Sequence, residues 1–559
     1  MDALAPQPPE EREGRGLTIL CLLAPLIFLA QYSLRTLDDN TLVSWPVVFA
    51  DGTDRAASAF VLVCLASALA AWLSRRSLPG PGVQAAAAFV LAAAFWGLPE
   101  VIVDASRYFA EAKYALVHGP GAFLADWGGA VEPWTDMPLM PLLYGLGMKA
   151  FGESRIVIQA MNTGMFSLAV WCTVRLGSDL FDPETGRTGG LFVMAVPFLY
   201  TQTPLVMVDV PAMGLLMLAL YTANRAFHRG GALSIALAGA AMALAFFAKY
   251  SQGIMLTSLG ALALLYIPRR PRSALVRGAG ILAVFGLIAA PVLYACRDVV
   301  ALQLDLLMTY QRPGLHRWTE SFAGTFLFHV HPALTALALV GTWRGVRERD
   351  GRLLAVAWAL VLVLGVMQVR RIRYVIPLMP LLGLMAAHGL MALRGARLRR
   401  LVALLAVGSA LAVAWGGYMP FLRTNSLVNL QTAARAIDAH PSGDVLVVAL
   451  PQRSIVNPAL AVPLLDLYTH KRVLYNYTLV PIRPTEEIMA SPFRFTWTYR
   501  NPAYYLPAEG VRPGLIAVVH DEPVEVAARW AVGYREIGFF DTHEGLYRYR
   551  PLVSLFSRE

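Results

Sequence analysis

The chain has 559 residues, of which 57% are hydrophobic and only 15% are charged. About a quarter of the residues in a soluble domain are charged, so most of this chain cannot face water. The formal net charge is +10, but the arginines form short clusters between apolar runs instead of one basic stripe. That pattern is typical of membrane topology and argues against nucleic-acid binding.

Apolar segments of spanning length recur before residue 420 and predict a polytopic α-helical membrane protein with about thirteen transmembrane helices. They cover approximately residues 17–34, 57–74, 83–103, 155–176, 186–202, 206–225, 231–248, 252–268, 274–295, 321–343, 353–369, 374–393 and 401–419.

The loop arginines set the predicted orientation. When the N-terminus is placed inside, the inside loops contain most of the arginine groups: Arg75–Arg76, Arg175 with Arg187, Arg225 with Arg229, Arg269–Arg272, Arg344–Arg352 and Arg394–Arg400. This topology places the chain after residue 420 outside. Arg370, Arg371 and Arg373 break the rule, because they lie between two spans at the outer surface. Either a helix is miscounted or these arginines are held there for a functional reason.

Two regions are not predicted to span the membrane. The first part of the outer segment 104–153, DASRYFAEAKYALVHG, has apolar residues at helical spacing and predicts an amphipathic helix suited to the membrane interface. Pro138 and Pro141 then begin a second short helix that runs to Phe151–Gly152.

The second such region is the C-terminal part of the chain, after residue 425. DVLVVAL (444–450), GLIAVVH (514–520), REIGFF (535–540) and LYRYRPL (546–552) predict strands, and VEVAARWAVG (524–533) predicts a helix. Alternating strands and helices indicate a small α/β domain. The predicted organisation is an extra N-terminal transmembrane hairpin (1–82), a transmembrane core with interfacial helices at 104–153 (83–420), and a soluble extracytoplasmic α/β domain (421–559).

Charged residues at the outer membrane boundary are the most informative, because burial there is costly. Asp104 stands where the third span leaves the membrane, with Glu100 one helical turn earlier. Asp209 lies in MVDVPAM at the outer start of the sixth span, and Lys249 follows AFFA at the outer end of the seventh. Together with the Arg370–Arg373 cluster, these sites share one side of the membrane.

That agreement favours an enzyme that acts on an anionic lipid. The cations would hold a phosphate, and a carboxylate would serve as general base. The simpler alternative for each site alone is a solvated or snorkelling residue at a helix end.

Several segments resemble, in the same order over about 85–400, the GT-C membrane glycosyltransferases. These segments are VDASRYFAEAKYALVHG followed by DMPLMPLLYGLGMKAFG, then MVDVPAM, AFFAKYSQGIML and RIRYVIPLMPLL. They are similar to the first outer loop, the second acidic motif, the "AKG-like" segment and the Arg-Tyr-x-x-Pro segment of the protein O-mannosyltransferase and aminoarabinose-transferase (ArnT-like) branch. Each motif is weak alone, and the ordered set is more specific.

The resemblance implies a GT-C-like fold and an inverting transferase that uses a polyprenyl-phosphate-linked sugar. Asp104 would be the base that deprotonates the acceptor, and Asp209 would support the acceptor or the base. The cations of the set would neutralise the donor phosphate as it leaves. The residues expected to bind substrate are Glu100, Asp136, Lys249, Arg370, Arg371, Arg373 and Tyr374.

The resemblance also implies partners and a location. We expect a polyprenyl-phosphate sugar donor, a lipid, glycan or protein acceptor, contact with membrane lipids, and no nucleic acid. The protein would be a multi-pass protein of the bacterial inner (plasma) membrane, with the active site and the C-terminal domain on the extracytoplasmic side. Which sugar and which acceptor are used is not readable from the motifs.

Three departures from the family pattern bear on this interpretation. Ala105 stands where the family usually has a glutamate after the aspartate, and Met137 replaces the lysine of the proline motif. Two spans also precede the matched region, which leaves Asp38–Asp39 (LDDN) after the first span as a rival for the family aspartate. Asp104 is preferred because only it is followed by the interfacial-helix pattern.

No metal or cofactor is predicted. His329 and His331 in FHVHP are two residues apart, which does not place both on one helix face, and Pro332 follows at once. A packed or interfacial histidine pair is therefore expected. The four cysteines fall in or beside apolar runs and form no CxxC pair, so neither a disulfide framework nor a zinc site is implied: Cys21, Cys64, Cys172 and Cys296.

Two other functions remain open at this point. A lipid or polysaccharide transporter or flippase would favour charges near the bilayer midplane and internal repeats. Here the charges gather at one face, and no repeat is found. A non-catalytic membrane receptor that uses its C-terminal domain to bind a partner would leave Asp104, Asp209 and Lys249 without a role.

Overall fold

The structure is a computed structural model that describes residues 9–133, 136–311, 320–450, 456–476, 485–491, 496–497, 501–507, 512–522, 531–543 and 547–558. Every predicted apolar segment overlaps a helix or consecutive helices. By length and composition, six of the described helices could cross a membrane, or seven when one bent pair is counted as a span. The larger number of spans stays a prediction.

The described part of the first half of the chain contains helices joined by turns and short irregular stretches. Its helices are α1 (Pro9–Ser33), α2 (Trp45–Val48), α3 (Arg55–Leu73), α4 (Pro81–Ala93), α5 (Ala105–His118), α6 (Pro120–Ala125), α7 (Leu139–Phe151), α8 (Arg155–Leu180), α9 (Pro183–Met194), α10 (Pro197–Gln202), α11 (Asp209–Arg229), α12 (Ala232–Ala248), α13 (Gln252–Met255), α14 (Ser258–Leu264), α15 (Pro271–Ala295) and α16 (Arg297–Leu306).

Helices continue into the second half. They are α17 (Phe322–Gly324), α18 (Pro332–Arg347), α19 (Gly351–Leu360), α20 (Ile372–Val375), α21 (Met379–Leu390), α22 (Ala396–Val413), α23 (Met419–Thr424), α24 (Val428–Ala439), α25 (Pro458–Asp466) and α26 (Thr485–Ala490). Several are joined or extended by π-helical turns, at Leu307–Gln311, Thr325–Val330, Val361–Val366 and Ala414–Tyr418.

The predicted N-terminal hairpin packs against the last long helix of the bundle. α1 and α3 contact each other, and both contact α22. Two glycines allow this approach: a Cβ at Gly408 would lie 2.8 Å from Ala66 Cβ, and one at Gly416 would lie 2.7 Å from Ala59 Cα. Small residues at such crossings let helices approach closely where no water drives their association.

The third predicted span is shorter than the sequence pattern indicates. α4 ends at Ala93, and turns followed by an extended stretch lead to Asp104. Gly97 and Pro99 lie in this stretch, and both disfavour a continuing helix. The chain therefore reaches Asp104 as an irregular segment that other parts of the protein must hold in place.

Both helices predicted for the 104–153 segment are present, as α5 and α7. α5 is not a surface helix, however, because α7 covers one part of it and α25 another. Arg107 and Glu111, from its predicted polar face, are only 5% and 1% exposed. The polar face of α5 therefore packs against other protein groups, whereas the amphipathic pattern predicted that it would face water.

The C-terminal region contains a mixed five-stranded sheet, as the strand and helix pattern predicted. Its strands are β1 (Asp444–Leu450), β2 (Arg472–Tyr475), β3 (Leu515–His520), β4 (Tyr534–Phe540) and β5 (Leu552–Arg558). The order is β2-β1-β3-β5-β4, with β1 parallel to β2 and β3, and β5 antiparallel to β3 and β4. α24 packs on β4 and β5, and α25 packs on β1 and β2.

The strand predictions are confirmed for β1, β3 and β4. The strand predicted at 546–552 is wrong, because β5 begins only at Leu552. Tyr547 and Tyr549 are both buried, which imitates a strand pattern, but Pro551 has no N–H for a ladder and the strand starts after it. β2 is too short to show a periodicity. The helix predicted at 524–533 falls mainly outside the described residues.

Candidate active site

Two carboxylates and two cations, predicted separately from the sequence, meet in one cluster. Lys249 Nζ lies 2.5 Å from Asp209 Oδ1. Arg373 Nη2 lies 3.5 Å from Asp209 Oδ2, and both terminal nitrogens of Arg373 lie 3.3 Å from Asp104 Oδ2. Arg373 therefore bridges the two carboxylates.

Each of these four residues lies at or near the end of a helix. Asp104 immediately precedes α5, and Asp209 is the first residue of α11. Lys249 directly follows α12, while Arg373 lies in the one-turn helix α20. A carboxylate is favoured at a helix N-terminus, where the backbone dipole is positive. The cluster thus depends on four helix ends that the bundle brings together.

The cluster becomes more exposed from Asp209 towards Asp104. The side chains of Asp209 and Lys249 are 2% and 8% exposed, and those of Arg373 and Asp104 are 14% and 24% exposed. Asp104 is therefore the carboxylate that an incoming molecule would reach first. Asp209 lies behind the two cations that it pairs with.

Tyr374 supports the buried lysine of the cluster. Lys249 Nζ lies 4.7 Å from the centre of the Tyr374 ring, a distance at which the ring face attracts a cation. Tyr374 follows Arg373 directly, so one short segment provides both the bridging guanidinium and the aromatic contact to Lys249.

Asp136, which the motif resemblance places in the substrate site, contacts the face of α5 that begins at Asp104. Its carboxylate pairs with Arg107 and accepts a hydrogen bond of 2.6 Å from the Tyr108 hydroxyl. Gln303 Nε2 donates to the Asp136 carbonyl at 2.7 Å. Burial raises the pKa of Asp136, against the opposing charge of Arg107. Protein groups therefore occupy the oxygens of Asp136.

Glu111 extends the same face of α5 by one further turn. It is 1% exposed, and neither of its oxygens has a hydrogen-bond partner among the residues that the structure describes. Burial, followed by the negative charge of Asp136, raises the pKa of Glu111 well above its ordinary value. Sequence reasoning missed Arg107, Tyr108 and Glu111, although their spacing of three, four and seven from Asp104 places all of them on one helix face.

Three other predicted residues lie around the cluster in different settings. The Glu100 carboxylate pairs with Arg155 at 2.8 Å and accepts from the Val206 N–H at 3.0 Å, so both of its oxygens are engaged by protein. Arg371 is buried, and burial together with the charge of Arg373 lowers the pKa of Arg371 to about 10. Arg370 is exposed, with its guanidinium over the Phe322 ring.

The rival pair Asp38–Asp39 makes contacts of its own, with Asp38 buried and Asp39 exposed. Asp38 accepts from the Trp45 N–H at 2.8 Å and lies 3.0 Å from His329 Nε2. Asp39 accepts from the Ser321 N–H at 2.8 Å. These contacts join the loop after α1 to the chain around residues 321–329, whereas Asp104 pairs with Arg373.

Both histidines of the FHVHP segment make contacts with other side chains of the protein. His329 lies between Asp38 and Tyr418, whose hydroxyl is 3.3 Å from His329 Nδ1. His331 Nε2 lies 2.9 Å from the Ser409 hydroxyl. Within the described part of the chain, no group of three or more His, Cys, Asp or Glu side chains is placed to hold a metal ion.

One segment of the chain matches a known protein family. Residues 132–294 match the family model described as dolichyl-phosphate-mannose-protein mannosyltransferase. This segment contains Asp136, Asp209 and Lys249. No curated protein sequence matches the chain. Together with the fold described next, this match confirms the resemblance to GT-C membrane glycosyltransferases of the ArnT-like branch.

The two solved ArnT structures share the fold of this chain. ArnT from Cupriavidus metallidurans bound to undecaprenyl phosphate superposes with a TM-score of 0.56 at 13% sequence identity, covering 85% of this chain and 97% of that chain. Its apo state gives a TM-score of 0.54 at 14% identity over the same shares. The archaeal oligosaccharyltransferase AglB from Archaeoglobus fulgidus, in complex with an inhibitory peptide and a dolichol-phosphate, gives 0.40 at 12% identity over 78% of this chain and 69% of that chain.

Proposed function

We propose that this protein transfers a sugar from a polyprenyl-phosphate-linked donor to an acceptor outside the cytoplasm, with inversion at the anomeric carbon. The observation that carries the proposal is the Arg373 bridge between Asp104 and Asp209, completed by Lys249. It combines an accessible carboxylate with fixed positive charge, which are the two groups that base-assisted displacement of a phosphate requires.

In the proposed reaction, Asp104 accepts the proton of an acceptor hydroxyl. The acceptor oxygen forms a bond to the anomeric carbon while the bond from that carbon to the phosphate oxygen breaks on the opposite face. The electron pair of the broken bond leaves with the phosphate, and polyprenyl phosphate is released. Attack opposite the leaving group inverts the anomeric configuration.

The other residues of the cluster serve the leaving phosphate. Arg373 and Lys249 stabilise its growing negative charge, and a buried, pre-oriented cation does so without reorganisation at the moment of reaction. Asp209 holds both cations in place from behind. Arg371 and Arg370 extend the positive charge toward the donor, and Tyr374 positions Lys249.

The polyprenyl-phosphate donor is supported by two comparisons. The matching family is described by its use of dolichyl-phosphate-mannose, and the ArnT structure of the same fold holds undecaprenyl phosphate. The segment that matches the family includes Asp209 and Lys249, which here form one ion pair. The acceptor could be a lipid, a glycan or a protein.

The proposal also includes a placement in the membrane. The loop arginines support about thirteen spans, an extracytoplasmic active site and an extracytoplasmic domain at 421–559. The hairpin within 1–82 would then precede the catalytic core at 83–420. The inner (plasma) membrane of a bacterium is the proposed location.

The function can be tested with purified protein in lipid nanodiscs and radiolabelled undecaprenyl phosphate mannose. A membrane extract separated into lipid, glycan and protein fractions supplies the acceptor. We expect label to enter one fraction with the wild-type protein. Absence of label from every fraction, with this donor and with other undecaprenyl phosphate sugars, would contradict the proposed function.

A further inference from the structure

The C-terminal domain contacts α5 through an ion-pair cluster in which the domain's own carboxylate is buried. Lys113, on α5, places Nζ 2.7 Å from Asp466 Oδ2 of the domain and 2.6 Å from Glu153 Oε1 after α7. The Tyr505 hydroxyl donates to Asp466 Oδ2 at 2.7 Å, and the Tyr504 hydroxyl donates to the Ala110 carbonyl at 3.1 Å. The domain thus holds α5 about two turns after Asp104.

The same domain also contacts the irregular stretch that precedes Asp104. The Tyr468 hydroxyl accepts the Glu100 N–H at 2.5 Å, and Gln431 Nε2 donates to the Gly97 carbonyl at 3.1 Å. The Tyr468 ring also lies 5.1 Å from the Arg155 guanidinium. Because residues 97–104 have no helical ladder, such contacts decide where this stretch lies.

Glu100 connects this contact to the second carboxylate of the cluster. While its N–H is held by Tyr468, its side chain pairs with Arg155 and accepts from the Val206 N–H at 3.0 Å. Val206 is three residues before Asp209. Glu100, which contacts the C-terminal domain, therefore connects the segment that leads into Asp104 with the segment that leads into Asp209.

We propose that the C-terminal domain positions the Asp104 segment for catalysis, and that Tyr468 is a positioning residue in this contact. The proposal rests on the function proposed above, because it assigns Tyr468 an effect only through the base Asp104. It gives the soluble domain a role in the chemical step, separate from any role in binding the acceptor.

Replacing Tyr468 by phenylalanine should therefore lower turnover and leave donor binding unchanged. The substitution keeps the ring over Arg155 and removes the acceptor of a buried N–H. Loss of one hydrogen bond predicts a fall in kcat of about fivefold to tenfold. Because Arg373 and Lys249 are untouched, the KM for undecaprenyl phosphate mannose should change by less than about twofold.

The chain offers a matched control in the same domain. The Tyr534 hydroxyl donates to the Pro513 carbonyl at 2.6 Å, a contact that lies within the C-terminal domain. Tyr534→Phe removes one tyrosine hydrogen bond from the same domain, so it reports any general loss of domain stability. We expect normal kcat for Tyr534→Phe, and thermal unfolding of both variants shows that they are folded.

A double-mutant cycle separates positioning from a merely structural role. If Tyr468 acts through Asp104, then Tyr468→Phe should slow the wild type but cause no further loss in the Asp104→Asn background. Equal kcat for Tyr468→Phe and Tyr534→Phe, or an equal loss in both backgrounds, would overturn the inference while leaving the proposed function intact. Near-normal transfer by Asp104→Asn alone would overturn both.

Discussion

The guanidinium of Arg373 holds Asp104 through both of its terminal nitrogens, each 3.3 Å from Asp104 Oδ2, although 269 positions separate the two residues in the chain. The same guanidinium reaches Asp209 at 3.5 Å. A single arginine therefore pairs with the proposed base and with the carboxylate that holds the lysine proposed to receive the phosphate.

Arg373→Ala should weaken donor binding and slow transfer, because the proposed partner of this guanidinium is the phosphate throughout the reaction. Loss of a charged hydrogen bond predicts a rise in the donor Kd of about tenfold or more. Arg373→Lys should recover only part of the loss, since one ammonium cannot reproduce a planar fork between two carboxylates. Undecaprenyl phosphate binding and initial rates measure both effects.

Arg344→Ala is the matched control for that experiment. Arg344 is a partly exposed arginine that pairs with the exposed Glu348 four residues later in the chain, and such pairs at the surface contribute little. We expect wild-type binding and rate for this variant. Donor binding by Arg373→Ala that equals that of Arg344→Ala would show that Arg373 does not contact the phosphate.

Lys249→Met should destabilise the fold, because it leaves the buried carboxylate of Asp209 with Arg373 alone. Removing one partner of a buried ion pair costs about 3–5 kcal/mol. The double variant Lys249→Met/Asp209→Leu should regain much of that stability, since no charge is left unpaired, but it should not regain transfer. Thermal unfolding and transfer rates are measured side by side. Equal melting temperatures for Lys249→Met and Lys249→Met/Asp209→Leu would contradict a buried ion pair between Lys249 and Asp209.

Glu111→Gln should raise the melting temperature at pH 7 and leave it unchanged near pH 4. Burial, and then the charge of Asp136, raises the folded-state pKa of Glu111 above its ordinary 4.5. The folded protein therefore keeps this proton while the unfolded chain releases it, so stability is present at low pH and is lost as the pH rises above 4.5. Each pH unit costs about 1.4 kcal/mol until the folded pKa is reached.

The glutamine side chain does not titrate, so the Glu111→Gln variant does not lose this stability as the pH rises. Glu348→Gln, at an exposed glutamate, serves as control and should behave as the wild type at both pH values. A lower melting temperature for Glu111→Gln at pH 7 would mean that Glu111 is ionised in the folded protein.

The charged cluster was largely predictable from the sequence. Asp104, Asp209, Lys249 and Arg373 each interrupt or end an apolar run, and the loop arginines predict that all of them lie on one side of the membrane. Which cation meets which carboxylate was not predictable, because that depends on how four helix ends converge. The contacts of the rival pair Asp38–Asp39 were not predictable either, since LDDN gives no sign of His329 and Ser321 as partners, and the choice of Asp104 as the family aspartate stays a prediction.

The contacts that the C-terminal domain makes with α5 and with Glu100 could not be predicted from sequence patterns. The amphipathic pattern of α5 locates its polar face but cannot tell water from buried partners such as Asp136 and Asp466. Tyr468 lies in a short turn with no motif, and its contact with Glu100 joins residues from distant parts of the chain. The displaced start of β5 shows a local failure of the same kind, in which two buried tyrosines imitate a strand before Pro551.

The most direct test of the account is transfer by Asp104→Asn. Asparagine keeps the size and most hydrogen bonds of Asp104 but cannot accept the acceptor's proton, and a general base contributes typically about 10²–10⁴-fold. With labelled undecaprenyl phosphate mannose, we predict that the single-turnover transfer rate falls at least about a hundredfold while donor binding and melting temperature stay near wild type. Near-normal transfer by Asp104→Asn, together with loss of transfer in a folded Asp39→Asn variant, would contradict the account and move the catalytic base to the loop after α1.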